Sequence, residues 1–160
     1  MDLLNLFEAC KNNDIEKALG LIMNNNIDFG LVDNYFGRTV LINACENKMT
    51  EVALELIKTG QSNPEQVNND NNTALILACK NKMTEVALEL IKTGKSNPDN
   101  IAKDGNTAFS WICENNMKDV AYELVLIGTF TINDILFLKP KWVPEELLIV
   151  NPVDVTEVNI

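Results

Sequence analysis

Four cysteines are the residues best equipped for chemistry in this 160-residue chain, and their spacing argues against most of it. Cys10, Cys45, Cys79 and Cys113 are separated by 35, 34 and 34 positions, and histidine is absent throughout. A thiolate nucleophile needs a neighbouring base, most often an imidazole, and a zinc site needs ligands paired at short spacing. Neither condition is met. The near-constant gap gives each cysteine the same place in its own structural unit. Units stacked as packed helices lie roughly 10 Å apart, beyond the reach of a disulfide and too far to share a metal. The cysteines therefore read as small buried apolar residues in a reducing compartment. No phosphate-binding glycine loop occurs, because the lone glycines suit helix ends and turn tips. A paired-carboxylate site stays open on residue types alone, but a stack of short units gives it no enclosed pocket. The expectation is no enzyme, with no catalytic residue, no cofactor site and no metal site.

The element that positions these cysteines is a repeat. Residues 39–60 recur almost verbatim as residues 73–94, and a degenerate third copy spans 107–128. Thr39, Thr73 and Thr107 are spaced 34 apart. Self-similarity at this period means stacked supersecondary units whose surface is extended. Within a unit, Thr39 can cap a helix through its hydroxyl. Leu41, Ala44 and Cys45 then make an apolar stripe at helical spacing. Residues 46–49 break the pattern. Thr50 can cap a second helix whose face is Val52, Ala53, Leu56 and Ile57, with Glu51 in its first turn. Gly60 supplies a left-handed stop, residues 61–64 are turn chemistry and residues 68–72 form a polar tip. Neither helix is long enough to persist alone in water, so stability must come from stacking.

Composition agrees. The chain is 46% hydrophobic, enough for a substantial core, and its formal charge of −10 would repel a polyanion, which argues against nucleic acid. The first eight residues carry acids and no basic segment, unlike a signal peptide. No apolar run approaches the roughly 18 residues of a membrane span. Asn71-Asn72-Thr73 matches a glycosylation sequon, read here as chance. The expected state is a cytoplasmic monomer.

The unit is similar to an ankyrin repeat. That family's opening Thr-Pro-Leu-His-x-Ala appears as Thr39-Val-Leu-Ile-Asn-Ala44, Thr73-Ala-Leu-Ile-Leu-Ala78 and Thr107-Ala-Phe-Ser-Trp-Ile112. Residues 34–39 and 102–107 resemble its hairpin tips, and residues 6–22 its N-terminal capping unit. Three features depart from the pattern. The Pro and His are missing, and the period is one residue longer, with the extra residue in the loop around 61–68. The near-identity of two units and the asparagine richness resemble repeats of large DNA viruses of amoebae, which would place the protein in host cytoplasm. The resemblance implies an all-α solenoid of helix-turn-helix units joined by hairpin-like loops. Its units are a capping repeat at 3–35, repeats at 36–69 and 70–103, a degenerate repeat at 104–130 and a non-repeat cap or tail at 131–160.

The resemblance also implies a protein partner on a concave face made of hairpin tips and the first helix of each unit. Carried over by position, the partner-binding residues are Tyr35, Phe36, Arg38 and Glu46, then Asn69, Asp70, Asn72 and Lys80, then Lys103, Asp104, Asn106 and Glu114. Asn47, Asn81 and Asn115 lie beside them. Tyr35 and Phe36 either anchor a partner or pack on the capping unit around Ile27 and Phe29. Leu19, Leu54, Leu88 and Tyr122 form a column that is either a second patch or partly buried between helices. Leu126 and Ile127 replace the Lys and Thr of earlier copies, so residues 131–150 are expected to cover them. In an adaptor alternative, residues 143–148, which faintly resemble the opening of an F-box, recruit ubiquitin-ligase machinery.

Overall fold

The computed structural model describes residues 2–23 and 27–129. These form eight helices: α1 (Asp2–Lys11), α2 (Ile15–Met23), α3 (Val40–Glu46), α4 (Thr50–Lys58), α5 (Ala74–Lys80), α6 (Thr84–Lys92), α7 (Ala108–Asn115) and α8 (Lys118–Leu126). Extended pairing among the described residues is confined to two isolated bridges at the tip bases, Val67 with Thr73 and Ile101 with Thr107. The helices make two layers. An inner row runs α1, α3, α5, α7 and an outer row α2, α4, α6, α8, each helix packing on its neighbours in the row and on its partner within the unit. The fold is an all-α solenoid. The expected tail at 131–160 lies outside the described residues.

Local chemistry explains each unit. The Thr39, Thr73 and Thr107 hydroxyls accept from the N–H groups of Ile42, Ile76 and Ser110 at 3.1–3.2 Å, capping the inner helices. At Thr107 the Ser110 hydroxyl returns the contact and completes a capping box. The inner helices α3 and α5 are only seven residues long and are buried on nearly every side. Tertiary burial therefore holds helices that are far below the length needed for autonomous stability.

One sequence expectation changes at the corner between helices. Thr50 does not cap α4; it is the first helical residue, and the N-cap is Met49, which makes no side-chain cap bond. The reason is packing: Met49 is buried, as are Met83 and Met117 at the same place, so this corner is closed by a hydrophobic plug. The turn before it requires a left-handed residue, and Lys48 and Lys82 adopt φ of +58° and +59° there. A non-glycine residue is uncommon in that region. Further on, Gly60 takes φ +69° after α4, as a left-handed C-terminal stop.

Cys10, Cys45 and Cys79 are buried and free, but Cys113 is only half-buried. No described inner helix stacks beyond α7, which leaves that thiol less covered. Burial pushes the Cys10 thiol up to about 12 and Cys113 up to about 11, and raises Cys45 and Cys79 further. All four are thiols rather than thiolates at neutral pH, and the thiolate is the reactive form. Titration of the native protein with a thiol reagent should label Cys113 first and leave Cys10, Cys45 and Cys79 slow until denaturant is added. Fast native labelling of Cys45 or Cys79 would contradict the packing.

Leu19, Leu54 and Leu88 pack against the core as partly buried residues, so that column is largely inter-helix filling; Tyr122 at its end is exposed.

Candidate functional site

The loop before each inner helix closes on itself through short polar contacts. In the first tip, the Asp33 carboxylate accepts from the Tyr35 and Phe36 N–H groups and from Arg38 Nε at 2.9 Å. In the second, Asn68 does the equivalent work: its Oδ1 accepts from the N–H groups of Asp70 and Asn72 at 3.0 and 2.9 Å. In the third, the Asp104 carboxylate accepts from the Asn106 N–H at 3.0 Å. The tips are also chained. Asn69 donates from its main chain to Phe36 O and from Nδ2 to Tyr35 O, and Lys103 N–H donates to Asp70 O. Asn71 and Asn100 add side-chain bonds between the second and third tips. The asparagine richness thus has a structural use: short side-chain amides donate to main-chain carbonyls of the neighbouring tip and tie the tips together.

Ion pairs fasten the tips to the inner helices. Arg38 lies between Asp33 at 2.9 Å and Glu46 at 3.0 Å, while Glu46 also accepts from Asn68 Nδ2 at 3.2 Å. Partial burial works against ionisation of Asp33. The hydrogen bonds from Phe36, Arg38 and Tyr35 outweigh it and hold the carboxyl below its ordinary value. The sign follows: the stability contributed by ionised Asp33 is full above the unfolded value, about 3.9, and is lost only as pH falls through the lower folded value. The Tyr35 and Phe36 amide resonances should accordingly hold their positions down to the ordinary carboxylate range and move below it. A transition centred above that range would contradict the tether.

The expected partner-binding residues divide into two groups. Tyr35 is 84% exposed and Phe36 55%, so neither is buried in the capping unit as Ile27 and Phe29 are. Asn69, Asp70, Lys80, Lys103, Asp104 and Glu114 are also exposed. Arg38, Glu46, Asn72 and Asn106 are half-buried and engaged within the tips, which makes them framework for the others. The Arg38 guanidinium stacks 4.3 Å from the Phe36 ring centroid and so steadies that ring.

Sequence reasoning passed over residues on α1 and two inner-helix positions. Leu3, Leu4 and Phe7 of α1 face Val32, Tyr35 and Phe36 across a cleft of about 400 Å³ whose lining includes Asn43. Asn43, Leu77 and Trp111 occupy the same position in successive units, a polar-to-aromatic change that was visible in the repeat alignment. Trp111 is half-buried, with Lys80 Nζ 5.3 Å from its ring centroid. The face therefore has an aromatic at each end and charged residues between, a composition suited to protein recognition. Among the described residues there is no cluster of metal-ligating side chains. No described helix is long and apolar enough to cross a membrane.

A family model described as ankyrin repeats (3 copies) matches residues 6–100. Among solved structures, similarity extends to a chain of "Bd0816 Predatory Endopeptidase from Bdellovibrio bacteriovorus in complex with immunity protein Bd3460". The TM-score is 0.63 and the identity 35%, over 76% of this chain and 62% of that one, so this chain spans less than two thirds of that chain's length. No curated protein matches this chain.

Proposed function

The chain belongs to the ankyrin-repeat proteins, and from that premise we propose that it binds another protein on the face made by its tips and inner helices. Ankyrin repeats are protein–protein interaction modules, and the similar solved chain comes from a complex of an endopeptidase with an immunity protein. One observation supports this face over the outer one. Tyr35 and Phe36 stand exposed side by side on a tip whose backbone is held by Asp33, Arg38 and the next tip. Rigid exposed aromatics lose little entropy on binding and are the residue types most often found as anchors. The outer helices instead present Glu55–Lys58 and Glu89–Lys92 pairs in solvent. Such exposed pairs contribute little to affinity.

We read the module as a non-enzymatic cytoplasmic monomer with no nucleic-acid partner, whose repeats resemble those of large DNA viruses of amoebae. The test is a comparison of faces. With a partner purified from the native cell, Asp70→Lys and Lys103→Glu should each weaken binding, and Glu89→Lys should not. Loss of binding with Glu89→Lys alone would move the interface to the outer helices.

At the end of the described stack Leu126 is 50% exposed and Ile127 54%. Each large apolar side chain left in water forfeits roughly 1.5–3 kcal/mol of burial. We propose that residues 131–150 cover this end. Deleting everything after Gly128 should then lower the melting temperature or cause aggregation. A truncated chain that stays monomeric with unchanged melting would remove the cap and favour the adaptor reading, in which this segment docks a second protein.

A further inference from the structure

Asn43 is a polar residue in a core position. It is 3% exposed, and it stands where the next units carry Leu77 and Trp111. Its Oδ1 accepts from Asn47 Nδ2 at 2.7 Å. Its own Nδ2 has no acceptor among the described residues, although a buried amide donor is normally paired. That residue lines the cleft between α1 and the first tip, whose walls are Leu4, Phe7, Tyr35 and Phe36. The cleft of about 400 Å³ is large enough for a side chain with part of its backbone.

The charges decide what kind of acceptor fits. Arg38 is already held by Asp33 and Glu46, so it does not serve an incoming anion. Glu8 and Lys11 on the α1 rim are both exposed. The surroundings therefore carry three carboxylates against two cations. A carboxylate reaching Asn43 would meet this surplus, while a neutral carbonyl would not, and a neighbouring cation would be attracted. We propose that this cleft takes a large apolar side chain of the partner protein, with the adjoining main-chain carbonyl accepting from Asn43 Nδ2 and a basic residue following at the Glu8 rim. The inference rests on the tip-face reading and specifies the chemistry of one end of it.

The probes are acetyl-Gly-Trp-Arg-Gly-amide, acetyl-Gly-Trp-Glu-Gly-amide and acetyl-Gly-Ala-Arg-Gly-amide, titrated into the ¹⁵N-labelled full chain. The Trp-Arg peptide should shift the Asn43 side-chain amide together with the Phe7, Tyr35 and Phe36 main-chain amides. The Trp-Glu peptide should bind more weakly by about threefold or more, as expected for loss of an exposed charge pair and gain of repulsion. The Ala-Arg peptide should leave the cleft unshifted. Asn43→Leu, which installs the residue type found at Leu77, should keep a dispersed spectrum and bind the Trp-Arg peptide about fivefold or more weakly, the scale of one lost hydrogen bond. An unmoved Asn43 amide, equal binding of the Glu peptide, or unchanged affinity in Asn43→Leu would overturn the inference. Shifts at Asn69, Lys80 and Lys103 with Asn43 unmoved would leave the tip face standing and remove only this cleft. A responsive cleft alongside a protein-partner footprint on the outer helices would do the reverse.

Discussion

The Tyr35→Ala/Phe36→Ala double variant binds the protein partner far more weakly while the stack stays folded. Truncating an aromatic anchor at an interface centre often costs about 2 kcal/mol or more. If both rings act as anchors, the combined loss is of order a hundredfold to a thousandfold in Kd. The structure supplies the reason to expect little unfolding, since both residues are exposed while Ile27, Phe29 and Leu6 form the buried core of the capping unit. The Phe36 ring stacks on Arg38, and Arg38 keeps both carboxylate partners without that ring. Titration calorimetry against the partner and a thermal melt of each variant check the two halves. Unchanged affinity would remove the pair from the site. A large fall in melting temperature would mean that the rings hold the capping unit together.

Leu56→Ala destabilises the chain by about 2–5 kcal/mol, the usual loss for a large aliphatic truncation in a packed core. Leu56 is fully buried at the centre of the α4 face, and Leu90 occupies the same place in α6. Leu54→Ala costs clearly less, because Leu54 is only partly buried at the margin of the same helix. In a stack each unit leans on its neighbours, so the cavity at Leu56 also loosens the contacts of α4 with α2 and α6. Urea melts of the two variants decide the matter. Equal losses would mean that α4 is rotated from the orientation described.

Much of this was legible from residue types and period. The threonine caps, the buried cysteine register and the Gly60 stop follow from rules acting within a few residues, so the sequence carries them locally. The corner between helices was less legible. Thr50 has the chemistry of a cap, but tertiary burial of Met49 places the helix start one residue earlier, and no local preference announces that. The left-handed lysines at 48 and 82 are likewise imposed by the turn that burial of Met49 and Met83 requires. Cys113 shares the register of its counterparts but not their neighbours, and period alone gives no account of an end unit. At the face, position predicted which residues sit on the tips. It did not separate exposed Asp70 and Lys103 from half-buried Arg38 and Asn106, because that depends on ion pairs and hydrogen bonds between tip and helix. The α1 wall of the cleft was missed because α1 was read as a cap alone, and Asn43 because its helix was read for its apolar stripe.

Amide hydrogen exchange of the full chain, alone and saturated with its purified protein partner, tests the central claim most directly. The account predicts new protection at the tips, residues 35–37, 69–71 and 103–105, and in α1 and α7, with the solvent-facing amides of α4 and α6 unchanged. Protection confined to α4, α6 and α8, with the tips exchanging as in the free chain, would contradict it.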